Sequence, residues 1–157
     1  MLNKKGQILD LIYLAFILFM IAVVGLIVYK VMTEWNDNVG SVLDAENTQM
    51  TQNYEDRLPN YLQQIFMIVL IGVSIIALIS AFMVNSHPVF YGFFMLLLGF
   101  LSWINAMYAN LWYSIASNDL FSSLSNNLTM INYVMKYYPL VLFVIGLIIG
   151  IAMMAKE

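Results

Sequence analysis

The chain has 157 residues, of which 62% are apolar and only 10% charged, and its mean hydropathy is +0.84. A water-soluble domain carries roughly a quarter charged residues to coat its surface, so lipid must be the solvent for most of this chain. A net charge of −3 argues against nucleic-acid binding, and the absence of cysteine excludes a disulfide framework, a thiolate metal site and a cysteine nucleophile.

Asp10 and Lys30 bracket an uncharged run, LIYLAFILFMIAVVGLIVY, long enough to cross the hydrocarbon core, which needs roughly 20 apolar residues. The first span is therefore expected over about 8–32. No small-residue cleavage site follows it, since Tyr29-Lys30-Val31-Met32 is unsuitable for a signal peptidase. Lys4-Lys5-Gly6-Gln7 resembles the processing site of archaeal type IV pilins and archaellins, which are cut between Gly and Gln. The likeness is partial: that family has an acid at the fifth mature position, which here is Leu11, with Asp10 one place early, and it has one hydrophobic helix rather than several.

Residues 33–60 are acidic and polar, with sparse apolar positions at Val39, Val42, Leu43 and Met50 compatible with a helix continuing from the first span. Pro59 is expected to end or bend it. The segment reads as a polar helical arm, either a solvated hairpin or a surface for a partner. In the second case Glu34, Asp37, Asp44, Glu46, Glu55 and Asp56 are the candidate contact residues.

Between Arg57 and Asp119 there is no Asp, Glu, Lys or Arg, a stretch that fits two crossings broken at Asn85-Ser86-His87-Pro88. The second span is expected over about 62–84 and the third over about 89–112. Residues 114–136 place Leu120, Phe121, Leu124, Leu128 and Ile131 on one helical face and Ser122, Ser123, Ser125 and Asn126 on the other. This predicts an amphipathic helix lying along the interface or covering the end of the bundle, with Asn118-Asp119 as its N-cap. Asn127-Leu128-Thr129 is a glycosylation sequon. The fourth span is expected over about 138–155, opened by Pro139 and closed by Lys156-Glu157. The fold class is thus an all-α integral membrane bundle of about four transmembrane helices, with the polar arm and the amphipathic helix on one side. All four spans are apolar all round, unlike the striped helices of a soluble bundle.

Lys4, Lys5 and Lys156 flank the spans on one side, and the N-terminal doublet predicts both termini on the interior side. Tyr29, Trp35, Tyr61, Tyr108, Trp112, Tyr113, Tyr137 and Tyr138 fall near the opposite boundary and form a belt.

Within the spans the chemistry is one of packing. Gly146 and Gly150 form a G-x-x-x-G pair, Gly99, Ser102 and Ala106 a small-residue stripe with Asn105 beside it, and Ala77 and Ala81 a third small pair. Such residues permit the close backbone approach that holds helices together in lipid, within a chain or between chains. Asn105 and Ser102 are expected to hydrogen-bond across helices, worth about 0.6–2 kcal/mol. His87 is the single histidine, stands in a short loop, and has no Cys or converging carboxylates to complete a metal site. No acid–base pair, phosphate loop or activated nucleophile is legible, so no enzyme activity, cofactor or small-molecule substrate is expected. Ionisable residues that could line a pore are lacking in the spans.

Ser86-His87-Pro88-Val89-Phe90-Tyr91-Gly92, then Asn105 to Asn110 late in a span, then a polar amphipathic stretch, then Tyr138-Pro139-Leu140 opening a Gly-rich final span, is an order that resembles small membrane proteins of membrane-containing prokaryotic viruses. The resemblance covers about 60–155 and carries no catalytic signature. It implies a virion membrane protein whose partners are the lipid bilayer and other membrane or coat proteins, including further copies of itself. An accessory subunit of a larger membrane enzyme or secretion machine and a holin-like pore are the other readings.

Overall fold

Leu11, Ala15, Leu18, Ala22, Gly25 and Tyr29 recur at alternating spacings of four and three along one face of the first helix, and all are buried. That is the seam spacing of two helices wound along each other. The computed structural model describes residues 6–39, 45–83 and 88–154. They form α1 (Gly6–Val39), α2 (Ala45–Met83), α3 (Pro88–Ala116), two short helices α4 (Ser122–Ser125) and α5 (Thr129–Lys136), and α6 (Tyr138–Met154). No strand occurs among the described residues.

The bundle is built from two antiparallel pairs. α1 packs most extensively on α2, and α3 on α6. In the first pair α2 contributes a matching buried line of Pro59, Gln63, Phe66, Leu70, Ala77 and Ala81. Gly25 lets Leu62 of α2 approach its backbone, since a Cβ there would sit 3.4 Å from the Leu62 side chain. In the second pair the glycines of α6 do the same work at closer range. A Cβ on Gly146 would collide with Leu98 of α3, and one on Gly150 would lie 3.1 Å from the ring of Phe94 and 3.3 Å from that of Tyr91. The pairs are joined by ring stacking of Phe19 on Tyr108, with centroids 4.8 Å apart and planes 16° from parallel.

The outward faces are as apolar as the inward ones. Phe16, Ile68, Ile76, Leu96, Trp103 and Ile151 are each about half exposed or more. A soluble monomer rarely exposes such continuous apolar surface, and here it girdles every long helix. α1, α2 and α3 are long and apolar enough to cross a membrane, and α5 with α6, bent by 72° at Tyr137, makes a fourth crossing if the pair counts as one broken span.

α1 has 34 residues and α2 has 39, about 50 and 58 Å of helix against a hydrocarbon core of about 30 Å. Both therefore run past the apolar spans and form the arm. Contrary to expectation the helix of the first span does not run on to Pro59: α1 is described to Val39, and Pro59 lies inside the separate helix α2, buried and without ending it. The side chain of Gln63 donates to the Pro59 carbonyl at 3.2 Å. The amphipathic segment also departs from expectation, because 114–136 is not one helix. α3 runs on to Ala116, and the chain then turns through Asn118, whose side-chain oxygen accepts the Leu120 N–H in a turn rather than capping a helix. Leu124, Leu128 and Ile131 are buried as expected, but Leu120 is exposed and Ser125, assigned to the polar face, is buried. The proposed break at Asn85-Ser86-His87, with Lys4, Lys5, Asp44, Ala155 and Lys156, lies outside the described residues, as do the side chains of Asp10 and Glu46.

Candidate functional site

The features with specific chemistry gather at the arm end of the bundle. Gln63 is the hub of one cluster. It stands near the start of the apolar part of α2 and is only 7% exposed. Its Nε2 donates to the Asn127 carbonyl at 3.3 Å, and its Oε1 accepts the Met130 N–H at 2.7 Å and the Thr129 hydroxyl at 3.4 Å. α5 begins after Leu128, whose side chain has no oxygen to cap it. The first N–H groups of a helix need an outside acceptor, and the amide of α2 supplies one from another part of the fold. Asn127 completes the tie to α1, donating from Nδ2 to the Tyr29 hydroxyl at 2.9 Å.

A second cluster closes the other side. Trp112 Nε1 donates to Asn132 Oδ1 at 3.0 Å, Asn132 Nδ2 donates to the Ser125 carbonyl at 2.6 Å, and the Ser125 hydroxyl donates to the Ala116 carbonyl at 2.9 Å. α3, α4 and α5 are thereby locked together around a cavity of about 610 Å³, lined by Trp112 and Tyr113, by Ser122 and Asn126, and by Asn132 and Lys136. Deeper in, the wholly buried Tyr138 donates its hydroxyl to the Ala15 carbonyl, anchoring the top of α6 to α1. The aromatic belt therefore divides. Trp35, Tyr61 and Tyr113 are exposed, whereas Tyr29, Trp112 and Tyr138 turn inward as hydrogen-bonding struts.

The arm has ties of its own. Asn36 Nδ2 donates to Glu55 Oε2 between α1 and α2, and Lys30 pairs with Glu34 at 3.1 Å along α1. Asp37 and Asp56 are exposed. Trp35, Met50 and Tyr54 are exposed by 62%, 55% and 66%. Of the six acids expected as partner contacts, Glu34 and Glu55 are engaged within the chain, Asp37 and Asp56 face solvent, and Asp44 and the Glu46 side chain lie outside the described residues.

The small-residue set splits in the same way. Gly146 and Gly150 lie at the closest helix contact, but Gly99 is exposed with nothing within 4 Å of a Cβ, so it takes no part in packing within one chain. α3 meets α6 along Phe94 and Leu98, and Gly99 is turned about 100° away from Leu98. Ser102 does not bond across helices; its hydroxyl donates to the Leu98 carbonyl of its own helix at 2.9 Å. Asn105 is 1% exposed, and its Oδ1 has no partner among the described residues. Ala106 is half-buried. Gln63, Asn132 and the inward-turned aromatics were not singled out as sites in the sequence. The available signal was an amide pair, Gln63-Gln64, at the edge of an apolar run, where a polar group that turns inward needs a partner.

No three His, Cys, Asp or Glu side chains converge among the described residues. No family model, curated protein or solved structure matches the chain.

Proposed function

We propose that this protein is a non-enzymatic integral membrane protein that organises a membrane-bound assembly, with both termini on the interior side and the arm presented outside. The bundle supplies the anchor and the arm chooses the partner. In the reading that the residue order of 60–155 suggests, the assembly is a virion and the partners are coat or other membrane proteins.

The observation that carries this reading is the exposure of Met50 and Tyr54 on α2 ahead of its apolar stretch, with Trp35 of α1 exposed at the membrane boundary beside the arm. In lipid such side chains need no explanation, whereas on a water-facing arm they are the residue types that anchor protein interfaces. The length of the arm adds support. Connections between neighbouring helices usually take about 2–8 residues, and this one extends both helices for several turns instead. The exposed acids Asp37 and Asp56 would rim such an interface and favour a basic partner surface.

The test is copurification after cross-linking from the source membrane or particle. Trp35→Ala with Tyr54→Ala should leave the protein in the membrane and folded but reduce its recovery with its partner by at least tenfold. Charge reversal at Asp37 and Asp56 should have a smaller effect that weakens at high salt. Normal stoichiometric incorporation of the aromatic double variant would reduce the arm to a solvated connection and remove the main support for the assembly role. A partner with catalytic activity would instead favour the accessory-subunit reading.

A further inference from the structure

The open cavity between the end of α3, α4 and α5 is not consumed by the assembly reading, and its lining has a consistent chemistry. α3 contributes Asn110 and the rings of Trp112 and Tyr113, and the segment from α4 to the end of α5 contributes Ser122, Asn126 and Lys136. Every polar member can donate a hydrogen bond, and no carboxylate lines the space. The side chains of Asn110, Ser122 and Asn126 have no hydrogen-bond partner among the described residues. Lys136 has no acidic partner there either; its ammonium group lies 5.5 Å over the ring of Tyr137. The cavity thus presents unspent donors and one uncompensated positive charge, the environment that suits an oxyanion.

Its position narrows the ligand. The turns of α3 directly below it expose Trp103, Met107 and Leu111, which are the side chains of a lipid-facing helix, while Tyr113, Tyr133 and Tyr137 around it are exposed amphipathic rings suited to the membrane boundary. The site therefore lies where phospholipid headgroups lie. At about 610 Å³ it has room for roughly twenty waters, far more than a free phosphate needs and enough for a headgroup with part of its glycerol. The floor formed by Trp112 and Ala116 can take the first acyl carbons beneath the glycerol.

We infer that this cavity is a binding site for the headgroup of a net-anionic phospholipid, with Lys136 on the phosphate, Asn110, Ser122 and Asn126 as hydrogen-bonding partners, and Trp112 and Tyr113 as the walls. The same oxyanion chemistry is shared by free phosphate, so the test separates the two sources.

The full chain, purified in a mild detergent, is incubated with equal amounts of phosphatidylglycerol and phosphatidylcholine, and the lipids retained are weighed by native mass spectrometry. Phosphatidylglycerol should be retained preferentially. Lys136→Gln, at an exposed position, should lower that retention about fivefold, to the level of phosphatidylcholine, with the melting temperature unchanged. Asn126→Ala should lower retention of both lipids, and its unchanged melting temperature shows that the fold persists. Millimolar inorganic phosphate should leave the bound lipid in place. Equal retention of the two lipids, retention unaffected by Lys136→Gln, or displacement by inorganic phosphate would each overturn the assignment, the last in favour of a free-anion site.

Discussion

The side-chain oxygen of Gln63 on α2 accepts the backbone N–H of Met130 on α5 at 2.7 Å, so one helix is capped by a residue from a crossing helix far away in the chain. A cap supplied from within a helix is worth about 1 kcal/mol, and loss of a buried partner about 1–3 kcal/mol. Gln63→Leu should therefore lower the melting temperature in detergent and raise amide exchange across 128–136, while exchange in α1 stays unchanged. Unaltered protection of 128–136 would show that the cap contributes nothing to holding α5.

Glycine substitutions should follow contact geometry rather than sequence motif. Gly146→Ala collides with Leu98 and should cost about 1–3 kcal/mol, the usual range for overpacking. Gly150→Ala meets the movable rings of Phe94 and Tyr91 and should cost less, and Gly99→Ala should be neutral or slightly stabilising. Leu98→Ala should rescue Gly146→Ala in a double-mutant cycle. Denaturation in mixed micelles gives the order, and equal effects at all three glycines would contradict the α3–α6 geometry.

Two buried polar groups should behave in opposite ways. Tyr138→Phe removes the hydroxyl that meets the Ala15 carbonyl and should cost about 0.6–2 kcal/mol, the range for hydrogen bonds between membrane helices. Asn105 Oδ1 has no partner among the described residues, so Asn105→Val, which removes the buried amide without adding side-chain length, should leave stability nearly unchanged or raise it. A large loss on Asn105→Val would mean that the amide finds a partner in the assembled protein.

Topology is testable with single cysteines, since the chain has none of its own. Impermeant maleimide applied outside should label Asp37→Cys and Asn126→Cys, which stand at the arm end of the bundle, and should spare Lys4→Cys until the membrane is permeabilised. Labelling of positions 4 and 37 from the same side would break the four-crossing arrangement.

The arm illustrates how far local pattern reaches. The run of α1 past Lys30 was legible, but the single helix expected to continue through Met50 towards Pro59 is two, with Val39 in α1 and Met50 in α2. The passage of α2 through Pro59 was not legible, because the rule that proline breaks a helix is local. A proline costs its helix one hydrogen bond, a loss that burial of the ring in the bundle can offset, and Pro59 is buried. The segment 114–136 shows the same limit. Leu124, Leu128 and Ile131 do turn inward, yet Ser125 joins them because the Ala116 carbonyl offers its hydroxyl a partner that no helical wheel displays.

The all-α class and the apolar stretches that can cross a membrane follow from sequence alone, because lipid demands about 20 apolar residues with every backbone hydrogen bond made within the helix, and both conditions are local. Which face of each helix turns inward was decided only by tertiary structure. In water the buried face announces itself by contrast with a polar one. In lipid the outside is as apolar as the inside, so Gly99 and Gly146 look alike in the chain. Only the rotational setting of α3 against α6 leaves the first in the open and places the second against Leu98.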